Sequence, residues 1–248
     1  MINLIKKVYY KVPYLFEMKN AIQKRFCKNS ALVDMSEVAP KVFALVQSID
    51  PNIQPFFGTL LALHREGKVG MADDFDFAVT QQDKLSMQLI EEFELRGAKL
   101  IAFSMVKNGT QLVELSFEYL NAKVDVFYLQ KNTSDVVHSC PNFRKSKPQM
   151  IQQDELAIHL FPSHFEVSYP PFTTELNNST GLYQHSNPAS MFEKHYASDW
   201  MVPKQSNFID FSNYRFIKQN AFSAYGSSKA IKAVLNTYFT NNKLNVGN

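Results

Sequence analysis

The stretch "GMADDFDFAV", residues 70–79, sets three carboxylates, Asp73, Asp74 and Asp76, into an otherwise apolar run that reads as a strand over 74–79. Strand side chains alternate between faces, so Asp74 and Asp76 emerge together while Phe75 and Phe77 point the other way. Two carboxylates a few ångströms apart repel, and burying them unpaired raises a pKa or unfolds the strand. A hard divalent cation removes that penalty, and Mg²⁺ favours one or two carboxylates, water and the oxygens of a phosphate. Taken alone, "DFD" also fits an acidic edge strand or a turn. Asp73 is expected to face away from Asp74, at the start of the strand.

Two other segments favour the metal. Asp125 lies inside "KVDVFYL", between Val124 and Val126, where an unpaired aspartate is expensive. "FFGT" puts Gly58 and Thr59 at the start of a helix, where free N–H groups and the helix dipole favour an anion. A phosphate cradle, a carboxylate pair and a third carboxylate together describe metal-dependent phosphoryl transfer.

Around these residues the chain alternates between helical and extended periods. A short amphipathic helix is expected over 41–49, a second running from "FFGT" to near Gly67, and a third over 81–96 stopped by Gly97. "KLIAFSMV", "TQLVELSFEYL" and "KVDVFYL" read as three strands joined by "KNG" and "NA". Residues 130–190, with prolines at 141, 148, 162, 170, 171 and 188, read as a loop-rich covering layer. It closes with a helix capped by Asn187 and begun by Pro188. Helical stretches are expected over 206–219 and 227–240. The fold class is α+β, a mixed sheet with flanking helices. The expected division is a basic arm over 1–30, a catalytic domain over 31–205 and a C-terminal helical region over 206–248.

Composition narrows the function. The 248 residues carry a net charge of +3, but Glu17 is the only acid among the first 30, which hold seven basic residues and a local balance of +6. The remainder is therefore at −3, which excludes a basic nucleic-acid binder as the main body. The arm is too polar for a signal peptide, and no segment reaches the ~20 apolar residues of a membrane span. Its apolar stripe of Ile5, Val8, Val12, Leu15, Ile22 and Phe26, opposite Lys6, Lys7, Lys24, Arg25 and Lys28, fits peripheral contact with an anionic membrane. A helix packed on the domain fits equally well. Cys27 and Cys140 are far apart and lack the spacing of a zinc site, so a cytoplasmic protein is expected. The six histidines show no metal-ligand spacing, and no Walker loop, GxSxG elbow or GxGxxG fingerprint occurs.

"FFGTLLALHREGKVGMADDFDFAV" followed by "KVDVFYL" resembles the LicD/fukutin family within the nucleotidyltransferase-fold superfamily. That family's pattern is Gly-Ser/Thr, an acid-hydrophobic-acid strand and a later strand with a third acid. "FEVSYPP" and "HYASDWMVPKQ" resemble its downstream segments, and the likeness covers roughly residues 55–205. Here Met71-Ala72-Asp73-Asp74 stands where many members carry a Trp and an unbroken acidic triplet. The resemblance implies a nucleotidyltransferase-like core that moves a phospho-alcohol, such as phosphocholine or ribitol phosphate, from a CDP-linked donor to a hydroxyl of a glycan acceptor. It implies that Asp74 and Asp76 hold Mg²⁺ or Mn²⁺, and that Asp125 is a third ligand or the base for the acceptor proton. Gly58 and Thr59 would contact the donor's phosphates, and Arg65, Asp199 and Lys204 would complete the substrate side. Two alternatives stand beside this: a true nucleotidyltransferase acting on a small acceptor, and a non-catalytic glycan-binding scaffold of the same fold. The three intact acids argue against the scaffold. Peripheral attachment to the inner face of the membrane would place such an enzyme beside a lipid-carried acceptor.

Overall fold

The computed structural model describes residues 33–144, 148–204 and 209–245. The basic arm, and with it the expected membrane contact, lies outside them.

In chain order the elements are β1 (Val33–Asp34), α1 (Ala39–Ile49), β2 (Gln54–Pro55), α2 (Phe57–Glu66), β3 (Met71–Ala72), β4 (Asp74–Val79) and α3 (Met87–Leu95). There follow β5 (Lys99–Val106), β6 (Gln111–Tyr119), β7 (Ala122–Lys131), β8 (Val136–Pro141), β9 (Gln149–Gln153), β10 (Leu156–Phe161), β11 (His164–Tyr169), β12 (Thr174–Asn177) and β13 (Leu182–His185). The chain continues through α4 (Ala189–Tyr196), β14 (Arg215–Ile217), β15 (Ala221–Gly226) and α5 (Ser228–Asn245). The main sheet runs β14-β11-β8-β7-β6-β5-β15-β10-β9, with β4 joined to β7 and β2 to β4. It curls enough to bring β8 against β5 and β15. The fold is thus α+β, as the alternating periods imply.

Parallel pairing is confined, among the described strands, to β4 and β7. That pair decides the site, because its register sets Asp76 beside Asp125. One face of the sheet is sealed by α1, α3 and α5 over Phe75, Phe77, Phe117, Val124 and Val126, all fully buried. Phe43 meets Phe75 and Phe77 edge-on, each at 6.2 Å, and Phe93 stacks on Phe117 at 4.2 Å. On the other face α2 and α4 pack Leu60, Phe192 and Tyr196 against Ala78, Leu129 and Tyr169, next to the acids. Among the described residues no helix is long and apolar enough to cross a membrane.

Several expectations change. Residues 130–190 are not a loop-rich layer but carry six strands, β8–β13. The prolines misled because they stand where strands begin or end: Pro141 closes β8, Pro148 precedes β9, Pro162 separates β10 from β11, and Pro170-Pro171 follow β11. Proline is tolerated at such places because no ladder N–H is needed there. The helix over 81–96 is broken: a 3₁₀ turn at Gln82–Lys84 precedes α3, whose cap is the Ser86 hydroxyl accepting from Leu89 N–H at 3.2 Å. The helix expected from Pro188 begins one residue later, with Pro188 in the cap position. Of the stretch 206–219, the described part is a 3₁₀ turn and the strand β14 rather than a helix. The stretch 227–240 is helical, as α5, but the strand before it, β15, runs between β5 and β10 in the sheet.

Candidate metal centre

Asp74, Asp76 and Asp125 converge as their strands require: one ligand atom from each lies within 4.8 Å of the others. Asp125 is only 2% exposed. Its Oδ2 accepts from Lys123 Nζ at 2.6 Å, while its Oδ1 is buried without a hydrogen-bond partner. An orphaned buried carboxylate oxygen is costly, and beside two more acids it is the donor set a hard cation takes. The three acids fit a metal, and they are the described residues that could hold one.

The electrostatics agree with that fit. Burial, followed by the charges of Asp73 and Asp125, pushes the Asp74 carboxyl up to about 7. Burial and the charges of Asp74 and Asp125 also hold Asp76 well above the ordinary aspartate value, against the pull of the Gly58 N–H. Asp73 does not face away: its carboxylate lies near enough to help raise the Asp74 carboxyl, because the chain bends at residue 73 between β3 and β4 and breaks the alternation.

Gly58 and Thr59 are built into the carboxylate support. Gly58 N–H donates to Asp76 Oδ2 at 3.0 Å, Thr59 Oγ1 accepts from Asp76 N–H at 2.8 Å, and Phe56 N–H donates to Asp76 O at 2.9 Å. The anion at the start of α2 is therefore Asp76 itself. Phe57, between them, adopts φ +35°, a left-handed backbone that costs a non-glycine residue about 1–3 kcal/mol. Its ring stacks on His195 at 4.2 Å and 25°. His195 is buried and its Nδ1 lies 2.5 Å from the Tyr214 hydroxyl and 3.2 Å from that of Tyr169. Burial, then His138, lowers its pKa, so it packs against Phe57 as a neutral ring.

The remaining expected residues divide. Arg65 lies in the last turn of α2, mostly buried, with Nη1 donating to Trp200 O at 3.3 Å and its Nε buried without a partner. It fastens the turn at 198–202 to α2. Asp199 and Lys204 pair with each other at 2.6 Å on the surface, and that hydrogen bond holds Asp199 below its usual range.

Three site residues escaped the sequence reading. Lys123 sits two residues before Asp125 on the same strand face. Burial lowers its pKa, but Asp125 and Glu114 outweigh that and raise it. Glu114, on the same sheet face, accepts from Ser104 Oγ at 2.6 Å, and burial and then Asp125 raise its pKa. Tyr196 ends α4 with its phenol raised by burial, then by Asp76, Tyr214 and Asp74, so it is protonated at neutral pH. Glu114 was readable by the argument that found Asp125, since it too is an acid between apolar strand neighbours. Comparison with known proteins adds no relative: no family model, no curated protein and no solved structure matches the chain.

Proposed function

We propose that this chain is a metal-dependent transferase with a nucleotidyltransferase-like core, moving a phospho-alcohol group from a CDP-linked donor to a hydroxyl of a glycan or its precursor. The observation that supports it best is Asp125 Oδ1, buried and unpartnered beside Asp74 and Asp76 on adjacent strands. The donor class comes from the resemblance over residues 55–205.

Asp74, Asp76 and Asp125 would hold Mg²⁺ or Mn²⁺. When bound, such an ion neutralises phosphate oxygens and the charge of the departing CMP. Lys123 ties down Asp125 Oδ2, which leaves Oδ1 buried without a hydrogen-bond partner. Gly58 and Thr59 fix the orientation of Asp76. Tyr196, buried in the cluster that packs against β4, is close enough for Asp76 and Asp74 to raise its phenol, which stays protonated at neutral pH. Lys204 gives one of its three N–H donors to Asp199, and the other two can meet a phosphate.

The test is to incubate the protein and Mn²⁺ with CDP-choline, CDP-ribitol and CDP-glycerol, with and without oligosaccharides, and to detect CMP. Metal-dependent CMP release that fails in Asp76→Asn is expected. Absence of CMP with every donor, or release undiminished in excess EDTA, overturns the reading. Pyrophosphate from CTP would move it to nucleotidyl transfer.

A further inference from the structure

The sheet register carries the acid face well beyond the metal centre. From Asp125 on β7 the paired positions run to Ser116 on β6, Ala102 on β5, Tyr225 on β15 and Ala157 on β10. Directly opposed residues share a face, so Tyr225 stands on the acid side three strands from Asp125, roughly 14 Å away at the usual strand spacing. Between them lie two small side chains, Ser116 and Ala102, both buried. The neighbouring row is Glu114, Ser104, Ser223 and His159, again in direct register. A bulge between Leu100 and Ala102 lets β5 keep Leu100 and Phe103 in the core while turning Ala102 and Ser104 to this side.

This second row is polar where a sheet centre is ordinarily apolar. Ser104 spends its one proton on Glu114 Oε2, so the Ser223 hydroxyl, 2.9 Å away, donates to Ser104 Oγ. Among the described residues, Glu114 accepts hydrogen bonds from two hydroxyls, those of Ser104 and, at 3.5 Å, Ser116. A carboxylate accepts about four hydrogen bonds, so acceptor capacity is left over. Tyr225 is 44% exposed, flanked in register by Ala102 and Ala157 and next to the His159 ring at 5.1 Å. An exposed aromatic face between alanines, two strands from a carboxylate with spare acceptor sites, matches one ligand chemistry. A sugar ring presents an apolar C–H face to an aromatic ring and hydroxyl donors to a carboxylate.

We infer that Tyr225 and Glu114, with Ser104 and Ser223 buried beneath them as support, form the acceptor subsite, which lays a pyranose on Tyr225 and turns its hydroxyls toward Glu114 and the acids. The inference rests on the transfer to a hydroxyl proposed above, and it adds where the acceptor lies and what recognises it.

The experiment separates the two. The protein is applied to a printed array of oligosaccharides spanning hexoses, N-acetylhexosamines and uronic acids, and the best binder is titrated by saturation-transfer NMR. Mn²⁺ binding is measured in parallel by calorimetry. Tyr225→Ala and Glu114→Gln are expected to weaken glycan binding tenfold or more, while Tyr225→Phe, which keeps the ring, binds within threefold of the unmodified protein. Thermal melting confirms that each variant is folded. No glycan bound on the array, or variants that all bind equally, overturns the subsite. Glycan binding that depends on Tyr225 in a protein that takes up no Mn²⁺ sustains the subsite and sinks the metal-dependent reading instead.

Discussion

Gly58 and Asp76 meet so closely that a side chain at position 58 would intrude on the carboxylate: a Cβ there would lie 3.3 Å from Asp76 Oδ2, the oxygen that accepts the Gly58 N–H. The contact is tighter than ordinary van der Waals packing, so one of the two must shift. Gly58→Ala is expected to leave the melting temperature within a few degrees while lowering Mn²⁺ affinity about tenfold, a change of ~1.4 kcal/mol. Calorimetric titration measures it, and unchanged affinity would mean that Asp76 is not positioned by this contact.

Asp74 and Asp76 have folded-state pKa values above their unfolded ones. Between the ordinary aspartate value of 3.8 and about 7 the native state holds more protons than the unfolded chain, so metal-free stability falls as pH rises through that window. Asp74→Asn should remove much of this slope. Because Asp74 is partly exposed, its share is about 1–2 kcal/mol, or roughly 2–6 °C of melting temperature at pH 8 in EDTA. A variant less stable than the parent at pH 8 would contradict the assignment. Turnover in the same variant should drop about a thousandfold or more.

Lys123 holds Asp125 by a charge-assisted bond to a carboxylate that is 3% exposed. Lys123→Met would leave that carboxylate without its cation. A loss of about 2–3 kcal/mol is expected in urea denaturation with EDTA, less than for a fully buried pair because the lysine is half exposed. Saturating Mn²⁺ should recover part of the loss. A deficit unaffected by metal would show that Asp125 serves the fold alone.

Phe57 carries a positive φ at the first position of α2, held by its stack on His195. Losing the ring costs packing, but the backbone strain sorts the variants. Phe57→Gly should be more stable than Phe57→Ala by about 1 kcal/mol, the reverse of the ordinary helical order. Equilibrium denaturation of the pair decides it.

The acid cluster was legible because charge in an apolar strand is anomalous wherever it occurs, and Asp74, Asp76 and Asp125 all satisfy that test. Glu114, between Val113 and Leu115, satisfies it as well, but no motif surrounds it. The roles of Gly58 and Thr59 were half legible: the anion at the start of α2 is there, but it comes from the next strand. Which partner a surface charge chooses is not written in spacing, so Asp199 and Lys204 gave no sign that they would pair. Strands β8–β13 stayed hidden because proline reports a missing N–H, and that is as compatible with the end of a strand as with a loop.

The place of β15 bears on how the chain reaches this structure. Residues 221–226 bond to β5 on one side and to β10 on the other, joining segments more than fifty residues apart in sequence. Until they arrive, both neighbours present open edges, and the long loops between the partners slow the search for pairing. Refolding should therefore be slow and prone to edge-to-edge aggregation, and a chain cut before Ala221 would lose the seam between two parts of one sheet.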